Sequence, residues 1–230
     1  MFYLDPLYLI LALPGLLLGL WAQMRVKGTF NKYARVRTAR NLSGAEIARH
    51  LLDNQGLQDV RVEETKGFLS DHYDPRARVL RLSPDVYRTP SVAAAGVAAH
   101  EMGHALQHSA GYAPLQIRSA IVPVVQFGSS LAPILILVGF LLRLTPLAWV
   151  GVILFAGAVV FSLITLPVEF DASRRAKALL TQSGIVTHEE AGGVSAVLNA
   201  AGWTYVAAAI AAIGQLLYYV LLLTGGSRRD

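Results

Sequence analysis

"LTPLAWVGVILFAGAVVFSLITLPVEFDASRRAKALL", residues 144–180, changes character at one point. Residues 144–168 carry no Asp, Glu, Lys or Arg; Glu169, Asp171, Arg174, Arg175 and Lys177 then follow in quick succession. A helical crossing of a bilayer core needs about 20 mostly apolar residues, so the first part reads as a membrane span that continues into a charged, aqueous helix. Residues 6–24, 119–142 and 191–227 also lack charged side chains and are long enough to cross. Composition agrees: 54% of residues are hydrophobic and 15% charged, against about 45–50% and 25% in soluble domains. The expectation is a mainly α membrane protein with four transmembrane helices.

The placement of charge gives an orientation. Seventeen of the 20 lysines and arginines lie in 25–118 and 169–202, and positive charge collects on the cytoplasmic side of a membrane. Both segments are therefore expected inside the cell and both chain termini outside. The domain reading follows: an uncleaved anchor over 1–24, a cytosolic domain over 25–118, a transmembrane hairpin over 119–167, cytosolic helices over 168–202, and a last transmembrane helix with a short tail over 203–230. The basic stretch "MRVKGTFNKYARVRTAR" adjoins the first span, where such residues meet anionic lipid headgroups, so the net charge of +5 does not point to nucleic acid. There is no cysteine, which excludes disulfides and thiolate metal sites.

Within 25–118, Ser43 and Glu46 stand in capping-box spacing before a short amphipathic helix that Gly56 stops. "DVRVEE" and "ARVLRLS" alternate apolar and polar residues and predict two strands joined through "TKGFLSDHYDPR". Asp71 and His72 in that joiner read as turn residues. Ser83 precedes one helical turn, and Ser91 caps a helix over 91–109. Thr187 and Glu190 form a second capping box, opening a helix that leads into the fourth span.

The 91–109 helix contains "AAHEMGHALQHS", residues 99–110. Residues four apart on a helix differ by about 40° in rotation and roughly 6 Å in height, so His100 and His104 project from one face and can grip one ion. Glu101 lies beside them, placed to act on water as a general base. This is the His-Glu-x-x-His pattern of zinc hydrolases, on the helix it requires. His108 is roughly 12 Å along the axis from His100 and cannot join the same ion. It reads as interfacial or substrate-facing.

A catalytic zinc takes three protein ligands and keeps a position open. The carboxylates available for the third are Glu63 and Glu64 on a predicted strand, Glu189 and Glu190 at a helix start, and Glu169. Glu169 stands out, because a carboxylate this close to hydrocarbon is costly unless paired or metal-bound. A salt bridge to Arg174 or Arg175 is the structural alternative. Asp171 would point away from Glu169 and can accept a hydrogen bond from a ligand histidine.

"AAHEMGHALQ", "GYAPLQIRSAIVPVV", "LPVEFDASRRAKALL", "DHYDPRARVLRLSPDVY" and "VLNAAGWTYVAAAIAAI" together resemble the YugP family of bacterial membrane neutral zinc metallopeptidases, over nearly the whole chain. The resemblance implies a gluzincin-like enzyme, distantly similar to HtpX-like and CAAX prenyl proteases, with a small α+β zincin-like cytosolic domain and one catalytic zinc. It implies a bacterial plasma-membrane location and makes Glu169, on the helix after the transmembrane hairpin, the third ligand. The wider group often has an aspartate four residues after that glutamate. Ser173 stands there in this chain, and Asp171 is the expected substitute.

The function expected is a membrane-bound zinc metalloendopeptidase cutting peptide bonds at the cytoplasmic surface. Arg174, His72 and Tyr205 are candidates for stabilising the oxyanion. The strand "ARVLRLS", as an edge strand, would hold extended substrate. A zinc-containing membrane scaffold is the alternative, and the intact Glu101 argues against it. A metal transporter is excluded because no histidine or acidic residue lies inside the core of any expected span.

Overall fold

Helix starts in this chain are set by side chains at fixed offsets. Ser43 Oγ accepts from the Glu46 N–H while Glu46 Oε2 accepts from the Ser43 N–H, a complete capping box. Thr187 and Glu190 repeat the reciprocal pair. The computed structural model describes residues 5–226. In chain order the elements are α1 (Pro6–Tyr33), α2 (Gly44–Asn54), β1 (Arg61–Glu64), β2 (His72–Asp74), β3 (Val79–Leu82), α3 (Pro84–Tyr87), α4 (Val92–Ser109), α5 (Ala113–Leu141), α6 (Thr145–Gln182) and α7 (His188–Gly226).

Among the described residues, α1, α5, α6 and α7 are long and apolar enough to cross a membrane. The chain divides into two compact units. Of the described residues, 5–22, 116–167 and 204–226 form the first, and 23–115 and 168–203 form the second. Helix α6 contributes to both, as do α1, α5 and α7.

In the first unit, helices touch where side chains are small. A Cβ on Gly139 would stand 2.5 Å from the Ala148 backbone nitrogen, and one on Gly15 would stand 2.5 Å from the Ala211 Cα. Only glycine permits such approach, a common way for apolar helices to pack without a water-driven core. Many large apolar side chains here are exposed, among them Phe127, Ile134, Leu137 and Ile153.

The second unit has a conventional core. Ile47, Leu51 and Leu52 of α2, Leu80 and Leu82 of β3, Val86 of α3, the alanine face of α4, and Ala176 and Leu180 of α6 are buried together. The sheet has three strands in the order β1-β3-β2, with β1 parallel and β2 antiparallel to β3. This corrects two expectations. The joiner between the two anticipated strands supplies a third, β2, because Asp74 Oδ1 accepts from the N–H groups of Arg76 and Ala77 and turns the chain back onto β3. Strand β3 is central, not an edge. The parallel pairing of β1 to β3 also requires a crossover, which local alternation does not reveal.

Candidate metal centre

Helix α4 begins where Ser91 Oγ accepts from the Ala94 N–H, and it buries Ala94, Ala95, Ala98, Ala99, Met102 and Ala105. Against it lies the last part of α6, whose Val168, Ala172, Ala176 and Leu180 recur every four residues and are fully buried. Gly103 sets how near the two helices come: a Cβ there would stand 2.6 Å from the Ala172 carbonyl oxygen. That approach brings both flanks of the α6 stripe within reach of α4.

On one flank, Glu169 Oε2 lies 3.2 Å from His100 Nε2 and 3.5 Å from His104 Nε2. Each of the three residues offers one ligand atom, all within 4.8 Å of one another, and together they can hold a metal ion. In a tetrahedral zinc shell with bonds of about 2.0–2.1 Å, ligand atoms stand roughly 3.3–3.4 Å apart. The two separations from Glu169 bracket that value and the third lies within 4.8 Å, so the donor set can close on one zinc ion. Two imidazoles and a carboxylate, with no thiolate available, also suit it.

The outward ring nitrogens are held too. His100 Nδ1 is 3.1 Å from Ser173 Oγ, one turn beyond Glu169. His104 Nδ1 is 3.0 Å from Gln107 Oε1. Gln107 Nε2 in turn donates to the Val168 carbonyl at 2.8 Å and to Asp171 Oδ2 at 2.9 Å. Asp171 also accepts from Arg174 and from Arg175 Nε.

Asp171 therefore does not receive a histidine directly, as expected from sequence. It stands on the other flank of α6 and braces Gln107, while Ser173 is the residue beside His100. Arg174, exposed, and Arg175, half-buried, both pair with Asp171, where the alternative reading of the sequence had them pair with Glu169. Three of the other candidate carboxylates have separate partners: Glu63 pairs with Arg61 and Arg81, Glu64 with Arg88, and Glu190 caps α7 and accepts from the Ala39 N–H. His72 is exposed on β2, 2.8 Å from the Ser70 carbonyl through Nδ1, and outside the three-residue cluster. His108 Nδ1 lies 2.9 Å from the Tyr73 hydroxyl of β2.

Glu101 is buried beside His100, 8% exposed, and its charge acts on His104 and on Asp71. Burial alone pulls the His104 imidazole down, but the hydrogen bond to Glu169, the charges of Glu101 and Glu169 and the contact with Gln107 outweigh it and raise its pKa. Burial pushes the Asp71 carboxyl up. The Ser83 N–H and hydroxyl oppose that shift, and Glu101 adds to it. Gly103, Gln107 and the role of Ser173 were not apparent from spacing alone; the small-residue stripe at 172 and 176 was the one local sign that a helix would approach closely.

A family model described as "Putative neutral zinc metallopeptidase" matches residues 8–224. The chain is similar to the "Putative membrane protease YugP" of Bacillus subtilis (strain 168), with 49% identity over 220 residues, 96% of this chain and 98% of that protein. No solved structure matches. With the match running almost from end to end, this chain belongs to that neutral zinc metallopeptidase family.

Proposed function

We propose that this protein is a zinc metalloendopeptidase of the bacterial plasma membrane. Residues 25–118 and 168–202 supply its active site at the cytoplasmic surface, and the apolar helices cross the bilayer, with both termini outside. The observation that carries the reading is the convergence of His100 Nε2, His104 Nε2 and Glu169 Oε2 beside a buried glutamate that is not one of the cluster. A purely structural site has no need of that fourth group.

Bound by these three residues, zinc supplies Lewis acidity, which polarises a peptide carbonyl and brings water within reach of a carboxylate base near neutral pH. Glu101 takes a proton from water as the water oxygen attacks the carbonyl carbon. It then delivers that proton to the amide nitrogen as the C–N bond breaks, leaving a carboxylic acid and an amine. Burial keeps Glu101 out of competition with bulk solvent for that proton. Since β3 is central, extended substrate is assigned instead to the edge strand β2, where main-chain pairing gives affinity with little sequence preference. Tyr73 of β2 reaches His108, one turn beyond His104, which places this edge beside α4.

The test is Glu101→Gln in the full-length protein. Cleavage of an unfolded reporter protein in proteoliposomes is expected to fall by about 10²–10⁴-fold, the range for loss of a general base, with zinc content unchanged. Equal cleavage by mutant and parent removes Glu101 as the base; zinc without cleavage in the parent as well favours a scaffold.

A further inference from the structure

Gln107 is 0% exposed, and both ends of its side-chain amide are engaged. The nitrogen end faces the Val168 carbonyl oxygen and Asp171 Oδ2. A carbonyl oxygen only accepts hydrogen bonds. The Asp171 carboxylate, paired with two arginines, is ionised and also only accepts. An amide nitrogen carries two hydrogens, and these two acceptors use both. Turning the amide end for end would set its oxygen against two acceptors in a buried place, losing two hydrogen bonds at once. The oxygen end must therefore face His104.

The consequence passes to the ring. Gln107 Oε1 can only accept, so His104 Nδ1 must carry a hydrogen. A neutral imidazole has one N–H, so with Nδ1 holding it Nε2, the atom that faces Glu169, offers its lone pair to a metal; without a metal the Glu169 carboxylate draws a proton to Nε2 instead. We infer that Gln107 is a positioning residue: with Asp171 and the Val168 carbonyl behind it, it fixes His104 in the Nδ1–H tautomer and aims Nε2 at the metal. The inference rests on the zinc-binding role proposed for His104.

His100 is held differently. Its Nδ1 neighbour is the Ser173 hydroxyl, which can donate or accept by rotating. That contact orients the ring without dictating where its proton sits. Of the two imidazoles, one is committed by its support and the other only steadied.

The spectra use zinc-free, full-length protein in nanodiscs, labelled with ¹⁵N-histidine, in a parent carrying Glu169→Ala so that no carboxylate draws the proton to Nε2, at alkaline pH where the imidazoles are neutral; zinc affinities use the unaltered chain. A two-bond ¹H–¹⁵N correlation distinguishes the two tautomers, and loss of a signal in His104→Gln assigns it. The parent is expected to show His104 protonated on Nδ1 alone, and Gln107→Met to show a mixture. Zinc affinity, by competition with a chelator, should fall about 10–100-fold in Gln107→Met, the range for losing the hydrogen-bond partner of a metal ligand, and by less in Ser173→Ala. A parent His104 protonated on Nε2, or Gln107→Met with a single Nδ1–H tautomer and parental affinity, overturns the inference. If Gln107→Met does not fold, the parent spectrum decides alone. An unaltered chain that binds no zinc would count against the proposed function, whereas the tautomer is read without metal.

Discussion

Helix α6 passes from one unit to the other between Pro167 and Val168, and its two parts handle apolar residues in opposite ways. Before that point Val150, Ile153, Val160 and Leu163 are exposed; after it Val168, Ala172, Ala176 and Leu180 are fully buried. The first part suits a hydrocarbon surrounding, where outward apolar side chains cost nothing and glycine sets helix spacing. The second must remove its apolar face from water, and so makes an interior. That interior is where polar groups can be enclosed. Of the nine buried polar or charged side chains among the described residues, Glu101, Gln107, Glu169, Asp171 and Ser173 all lie on α4 or this part of α6. The candidate metal cluster belongs to the unit with the larger core.

The contrast is sharpened most by Glu169→Ala. It removes one member of the cluster in the second unit and leaves the first unit's contacts intact. Zinc affinity is expected to fall by more than the roughly 100-fold typical of losing an outer partner, while membrane insertion and helix content stay at parental levels. Zinc content after dialysis, with circular dichroism as the control, checks this. Stoichiometric zinc in the variant would move the third ligand to another carboxylate.

A matched pair of glycine substitutions can break the contrast. Gly103→Ala forces a Cβ against the Ala172 carbonyl, and Gly139→Ala forces one against the Ala148 backbone at a similar distance. Each should cost about 1–3 kcal/mol of stability, as overpacking does, seen as a lower Tm. Only Gly103→Ala should also weaken zinc binding, because the backbone it displaces, at Ala172, lies within one turn of Glu169, whereas Ala148 lies several turns away on the same helix. Equal losses of zinc affinity in both variants would mean that the site depends on packing throughout the chain.

The elements that the sequence disclosed are those decided within a few residues. The caps at Ser43, Ser91 and Thr187, the apolar runs, and the His100–Glu101–His104 grouping are all local. Glu169 could be singled out because its position beside a long apolar run is itself a local anomaly. The supports of the site are not local. Asp171 is about 200° around α6 from Glu169, and rotation alone sets it apart from the site. It becomes part of the network because Gly103 and Ala172 let the helices approach until residues on both sides of the contact stripe are enclosed. Gln107, three residues past His104, looked like any polar helix residue until Val168 and Asp171 stood across from it. Strand β2 was concealed for a related reason: its three residues gain strand geometry by pairing with β3.

In the proposed site, two imidazoles of α4 and one carboxylate of α6 grip one metal ion. Zinc K-edge X-ray absorption on the purified full-length protein measures that shell directly. The expected result is one zinc per chain, four-coordinate, with two imidazoles and the remaining positions filled by oxygen at about 2.0–2.2 Å. A shell with one imidazole or three, or protein that takes up no stoichiometric zinc, would contradict it.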